Sequence, residues 1–92
     1  MAVLDDDTIR TRLGELPGWE LDGATLRREL TFANFSEAFA FMTRVALAAE
    51  KLDHHPDWSN SWNTVNIAIS SHAEGGVTDR CLQLVVAIQK ML

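Results

Sequence analysis

The sequence predicts an α+β domain with the element order α-β-β-α-β-β-α, a four-stranded antiparallel sheet with its helices packed on one face. Three observations lead there. Val65, Ile67 and Ile69 alternate with Thr64, Asn66, Ala68 and Ser70, the period of a half-buried strand. Phe35, Phe39, Met42, Val45, Ala46 and Ala49 recur at helical spacing. Asp22-Gly23 is a hairpin signal between two alternating segments.

Taken in order, Asp5–Asp7 is an acidic trio, and Asp7 or Thr8 is placed to cap a first helix over Thr8–Glu15. Ile9, Leu13 and Leu16 lie on one side of it, and Pro17-Gly18 ends it. Strands are expected over Gly18–Leu21 and Thr25–Phe32, the second alternating Leu26, Arg28, Leu30 and Phe32 with Arg27, Glu29 and Thr31. Asn34 or Ser36 opens the long helix, which runs to about Lys51. Pro56 forbids helix at His55. Trp58–Trp62 reads as a short strand, with a turn around Asn60–Asn63 as the competing reading. Thr64–Ser71 is a clear strand, Gly75-Gly76 a turn, and Thr78 or Asp79 the cap of a last helix running to Leu92.

Ninety-two residues make one domain, 1–92, with a thin core. Cys81 is the sole cysteine, so no disulfide forms within the chain, and a lone thiol fits a reducing compartment. The N-terminus lacks the apolar stretch of a signal peptide, and no apolar run spans a bilayer, so no membrane role and a cytoplasmic location are expected. The formal charge of −5 argues against nucleic acid as a partner. The last helix is apolar over much of its circumference: Cys81, Leu84, Val85, Ile88, Met91 and Leu92 on one face, with Leu82, Val86 and Ala87 partly outside it. That pattern predicts burial on more than one side, hence a homodimer or homotetramer.

All three histidines fall between positions 54 and 72. His54 and His55 sit in the loop leaving the long helix, and His72 just after the clear strand. Loops held by rigid elements are where catalytic groups collect, and imidazole is the side chain that donates and accepts protons near neutrality. Glu50, four residues before His54, could hold or charge an imidazole. Other readings stand beside this one. Adjacent histidines also suit a solvated loop. Zinc binding is disfavoured, because neighbouring histidines point apart and no HxH, HxxxH or CxxC spacing is present, so no metal and no cofactor are expected. Cys81 lies in an apolar helical pattern and reads as a small buried hydrophobe. Trp58 and Trp62 read as packing residues or as a flat wall for an aromatic ring, and Pro56 as a turn terminator or a rigid apolar contact.

At these residues the chain resembles the pterin-4a-carbinolamine dehydratase family. Glu50-Lys51-Leu52-Asp53-His54-His55-Pro56-Asp57-Trp58 is similar to that family's EKxxHHPxW signature, and the likeness continues through Trp62-Asn63-x-Val65, Ser70-Ser71-His72 and Gly76-Val77-Thr78. The second histidine position falls 17 residues after His55. The Pro-Gly-Trp at position 19 and the Phe-rich helix extend the likeness over nearly the whole chain. There is one departure: the family commonly carries Asp where this chain has Cys81, and Asp79 stands two positions earlier.

The resemblance implies a metal-free hydro-lyase that dehydrates 4a-hydroxytetrahydropterin to quinonoid dihydropterin and water, recycling the pterin of aromatic amino acid hydroxylases. It implies His54, His55 and His72 as acid–base residues, with His54 and His72 the preferred pair and Glu50 orienting or charging the cluster. Pro56, Trp58, Ser70 and Ser71 would line the pterin pocket. A pterin-binding or dimerisation module without turnover, and a role in molybdopterin metabolism, are the alternatives.

Overall fold

In a computed structural model the chain is described over residues 2–92. The elements follow the expected order: α1 (Asp6–Leu13), β1 (Glu20–Asp22), β2 (Thr25–Thr31), α2 (Phe35–Leu52), β3 (Asp57–Ser61), β4 (Thr64–Ile69) and α3 (Asp79–Gln89). The strands form one antiparallel sheet in the order β1-β2-β4-β3.

β4 is central and sets the sheet's two faces. Val65, Ile67 and Ile69 are buried and pair with Leu30, Arg28 and Leu26 on β2. Thr64, Asn66 and Ala68 point to the opposite, uncovered face. Arg28 therefore lies on the inner face, where alternation alone would put an apolar residue. Its Nη1 donates to the Pro17 carbonyl and to Gln89 Oε1, 2.8 and 2.7 Å away, so the charge is carried by hydrogen bonds at the sheet's end.

The helix ends show how side chains select boundaries. α1 starts two residues before the expected Thr8, because the Asp5 carboxylate accepts from the Thr8 N–H at 2.8 Å and Asp6 and Asp7 suit the first turn. Asn34, and not Ser36, caps α2, its Oδ1 accepting from the Glu37 N–H at 2.9 Å. Thr78 is the cap residue of α3, and that helix stops at Gln89, three residues before the expected Leu92.

Two faces differ from expectation. The buried stripe of α2 is Ala38, Phe41, Val45 and Ala49, whereas Phe35 and Phe39 are 49% and 55% exposed and stack on each other at 5.7 Å. Phe41 decides this: it is fully buried, with its ring 5.0 Å from Phe32. Two overlapping apolar stripes run along α2, and periodicity cannot say which one the core takes. On α3, Cys81, Leu82, Leu84, Val85 and Ile88 are all buried within the single chain. Val86, Ala87 and Met91 are half-buried and Leu92 is exposed, so one chain covers most of the apolar circumference of this helical segment. Three of the six exposed large apolar side chains among the described residues, Phe35, Phe39 and Leu47, lie on α2, where Leu47 is 68% exposed.

α2 ends in a way that matters for everything after it. Asp53 takes the left-handed conformation (φ 52°, ψ 44°). The His54 N–H reaches back to the Ala49 carbonyl at 3.0 Å and the Asp53 N–H to that of Glu50 at 3.2 Å, the paired bonds of a Schellman turn. An Asp in this region tolerates the conformation better than a bulky or β-branched residue. Asp53→Val is expected to lower stability by about 1–2 kcal/mol and Asp53→Gly to leave it equal or higher. Denaturant unfolding of the two variants checks this; equal losses in both would show that the left-handed turn is not what constrains this position.

Candidate active site

Three elements meet at one end of the sheet. The Schellman turn of α2 presents His54 and His55. β4 ends at Ile69 and not at the expected Ser71, because the Ser71 N–H turns to the Gly76 carbonyl at 2.8 Å and closes a loop that carries His72. The start of α3 supplies Thr78, Arg80 and Cys81. Between them lies a cavity of about 300 Å³ lined by Asp53, His54, Ser71, His72, Ala73, Glu74, Thr78 and Arg80.

Each imidazole has a different partner. His72 Nε2 donates to Asp57 Oδ2 at 2.8 Å, and His55 Nε2 to Glu50 Oε1 at 2.6 Å. Glu50 thus holds His55, and not the His54 four residues on. His54 Nε2 lies 3.1 Å from Cys81 Sγ, a sulfur partner and not a carboxylate. The described hydrogen bonds to these rings all use Nε2, so Nδ1 is the nitrogen each ring has left for a ligand. Burial pushes the pKa of His54 below its ordinary 6.5, and the positive charge of Arg80 and the neighbouring His55 and His72 add to that, with Glu74 opposing. A neutral His54 at physiological pH is a ready proton acceptor.

The cavity gathers His54, Ser71 and His72 from the expected site. The other expected residues stand outside its lining. His55 and Glu50 form an exposed pair beside it. Pro56 is half-buried between His55 and β3. Ser70 follows the last residue of β4 and is half-buried. Trp58 packs against the core from the edge strand β3 and borders a second concavity of about 590 Å³ with Arg27, Ser59 and Asn66. That concavity is the larger, yet it holds none of the histidines. Trp62 turns the β3–β4 hairpin at φ 50°, 68% exposed. The five-residue β3 separates it from the histidine loop by roughly 17 Å, so it forms no wall there.

Residues that spacing could not nominate are Asp57, the partner of His72, and Thr78 and Arg80, which reach the cavity from α3. Cys81 is buried as expected, but it touches His54. Asp79 turns the other way: it accepts from Gln83 Nε2 at 2.9 Å and faces Arg12 at 3.7 Å. Among the described residues no group of three or more His, Cys, Asp or Glu is placed to hold a metal ion, and no helix is long and apolar enough to cross a membrane.

Comparison with known proteins agrees with this architecture. The family described as pterin 4 alpha carbinolamine dehydratase matches residues 2–91. A Mesorhizobium japonicum protein named as a proposed pterin-4-alpha-carbinolamine dehydratase is 60% identical over 77 residues, covering 82% of this chain and 79% of its own length. A Prochlorococcus marinus protein of the same name is 39% identical over 92 residues, covering 100% of this chain and 97% of its own. The crystal structure of a Brucella melitensis protein described as a transcriptional coactivator/pterin dehydratase superposes with a TM-score of 0.92 at 37% identity, covering 97% of each chain. The chain belongs to the pterin-4a-carbinolamine dehydratase family.

Proposed function

We propose that this protein dehydrates a 4a-hydroxytetrahydropterin to the quinonoid dihydropterin and water by histidine acid–base catalysis. The proposal is supported by a cavity whose lining includes both His54 and His72, each with Nε2 within hydrogen-bond reach of a protein side chain. In the reaction the bond from ring carbon to hydroxyl breaks and the hydroxyl leaves as water after gaining a proton. The adjacent ring nitrogen loses a proton and its electrons form the new carbon–nitrogen double bond. His54, kept neutral by burial and by Arg80, takes the proton from nitrogen through Nδ1. His72, oriented by Asp57, delivers a proton to the leaving hydroxyl. His55, held by Glu50 at the rim, serves as an auxiliary proton carrier. Ser71 lines the cavity beside the heterocycle, its N–H held by the Gly76 carbonyl and its hydroxyl by Thr78. Every step uses imidazole, so neither metal nor cofactor is required, and the product, once a separate reductase has returned it to the tetrahydropterin, would again serve an aromatic amino acid hydroxylase.

A second reading, a module that binds a partner protein, draws on the description of the Brucella relative and on the exposed Phe35, Phe39 and Leu47 of α2. These side chains also relocate the proposed homo-oligomer contact from α3 to α2.

Rates of carbinolamine dehydration across pH test the enzymatic proposal. His54→Ala and His72→Ala are each expected to lower kcat/KM on the order of 10²-fold with the fold intact. The wild-type acid limb should fall below pH 6.5, because a base with a depressed pKa keeps its lone pair until the pH drops past that lowered value. Near wild-type rates in both variants would contradict the assignment. Sedimentation at micromolar concentration tests assembly: a multiple of the 10.3 kDa chain is expected, and its dissociation by Phe39→Glu. A concentration-independent 10.3 kDa species would contradict it.

A further inference from the structure

Cys81 is fully buried at the third position of α3, yet its sulfur is surrounded by polar atoms. His54 Nε2 is 3.1 Å away and Ser71 Oγ 3.5 Å. The Thr78 N–H donates to it at 3.5 Å, with Thr78 Oγ1 at 3.6 Å. The N–H contact is the one in which a residue at the third helical position reaches back to the cap residue, so the sulfur is fixed by the helix end. Ser71 and Thr78 hydroxyls bond each other at 2.8 Å, which locks the loop side of the same cluster. The thiol hydrogen can go to either hydroxyl oxygen, and the sulfur lone pairs then face the ring N–H of His54.

We infer that Cys81 is a positioning residue: its sulfur accepts from His54 Nε2–H, fixes the ring's tautomer and plane, and leaves Nδ1 facing the cavity as the proton acceptor. The inference rests on the role given to His54 above. It adds that the partner is a thiol and not a carboxylate. A carboxylate at this distance would stabilise the imidazolium and raise the pH at which His54 loses its proton; a thiol fixes the tautomer without doing so. The charged and titratable groups around the ring are Arg80 from α3, His72 and Glu74 from the loop after β4, His55 beside it, and Asp53 on the cavity wall. Of these Arg80, His55 and His72 oppose a second positive charge, consistent with a base that works neutral.

The test combines ring-nitrogen NMR of His54 with pH–rate profiles of Cys81→Ala, Cys81→Ser and Cys81→Asp. In the wild type His54 should be the Nε2–H tautomer, titrating below 6.5. Cys81→Ala should mix the tautomers and lower kcat on the order of tenfold, with KM little changed. Cys81→Ser should retain the tautomer and most of the rate. Cys81→Asp should move both the His54 titration and the acid limb of kcat to higher pH. An unchanged tautomer in Cys81→Ala, or an unshifted His54 titration in a folded Cys81→Asp, would overturn the inference. If the buried carboxylate prevents folding, the alanine variant decides it alone. The NMR arm needs no turnover, so it separates this inference from the enzymatic reading: a tautomer that follows Cys81 while His54→Ala keeps full activity would retain the contact and remove its catalytic meaning, overturning the positioning role.

Discussion

The burial of one side of β4 is the constraint on which the rest depends. Val65, Ile67 and Ile69 face the helices, and both neighbouring strands take their register from that strand. Each such side chain contributes about 1.5–3 kcal/mol when fully buried. A slip of one residue would send all three to solvent at a cost of roughly 5–9 kcal/mol, comparable to the whole stability of a small domain. Register is therefore fixed, and with it the point where β4 ends. His72 is delivered three residues past Ile69, and Asp57, at the start of β3, pairs with Ala68 and so stands next to it. The His72–Asp57 contact is a consequence of strand register.

The opposite wall of the cavity depends on a backbone event, the left-handed Asp53 that ends α2 and redirects the chain through His54. One rigid sheet and two helix ends thus hold three imidazoles, and each receives a different partner: a carboxylate from β3, a carboxylate from α2 and a thiol from α3. Identical side chains meet different surroundings in this way. Two are tied to exposed acids, while the half-buried one beside Arg80 is kept uncharged.

The element order, the sheet and the histidine loop were legible because they rest on local signals: alternation in β4, Asp22-Gly23, a cap at Asn34 or Ser36 and Pro56 as a stop. What escaped was decided at long range. The core chose the Phe41 stripe of α2 over the Phe35–Phe39 stripe because Phe32 waits across the sheet. Arg28 took an inward position because Pro17 and Gln89, distant in sequence, supply acceptors. Asp57 and Arg80 enter the site through tertiary pairing that no spacing reports. Cys81 was readable as buried, but its contact with His54 spans a sequence separation of 27. Trp58 and Trp62 drew attention by lying near the histidines in sequence; the hairpin carries Trp62 to the far end of the sheet.

The central claim is that a pterin ring occupies the small histidine-lined cavity and not the larger concavity on the open sheet face. Titrating a dihydropterin into isotope-labelled protein and following backbone and imidazole signals addresses it directly. The account predicts saturable shifts at His54, Ser71, His72, Thr78 and Arg80, with the ring nitrogens of His54 and His72 among the largest. Shifts confined to Arg27, Ser59 and Asn66, with all three imidazoles unmoved, would contradict it.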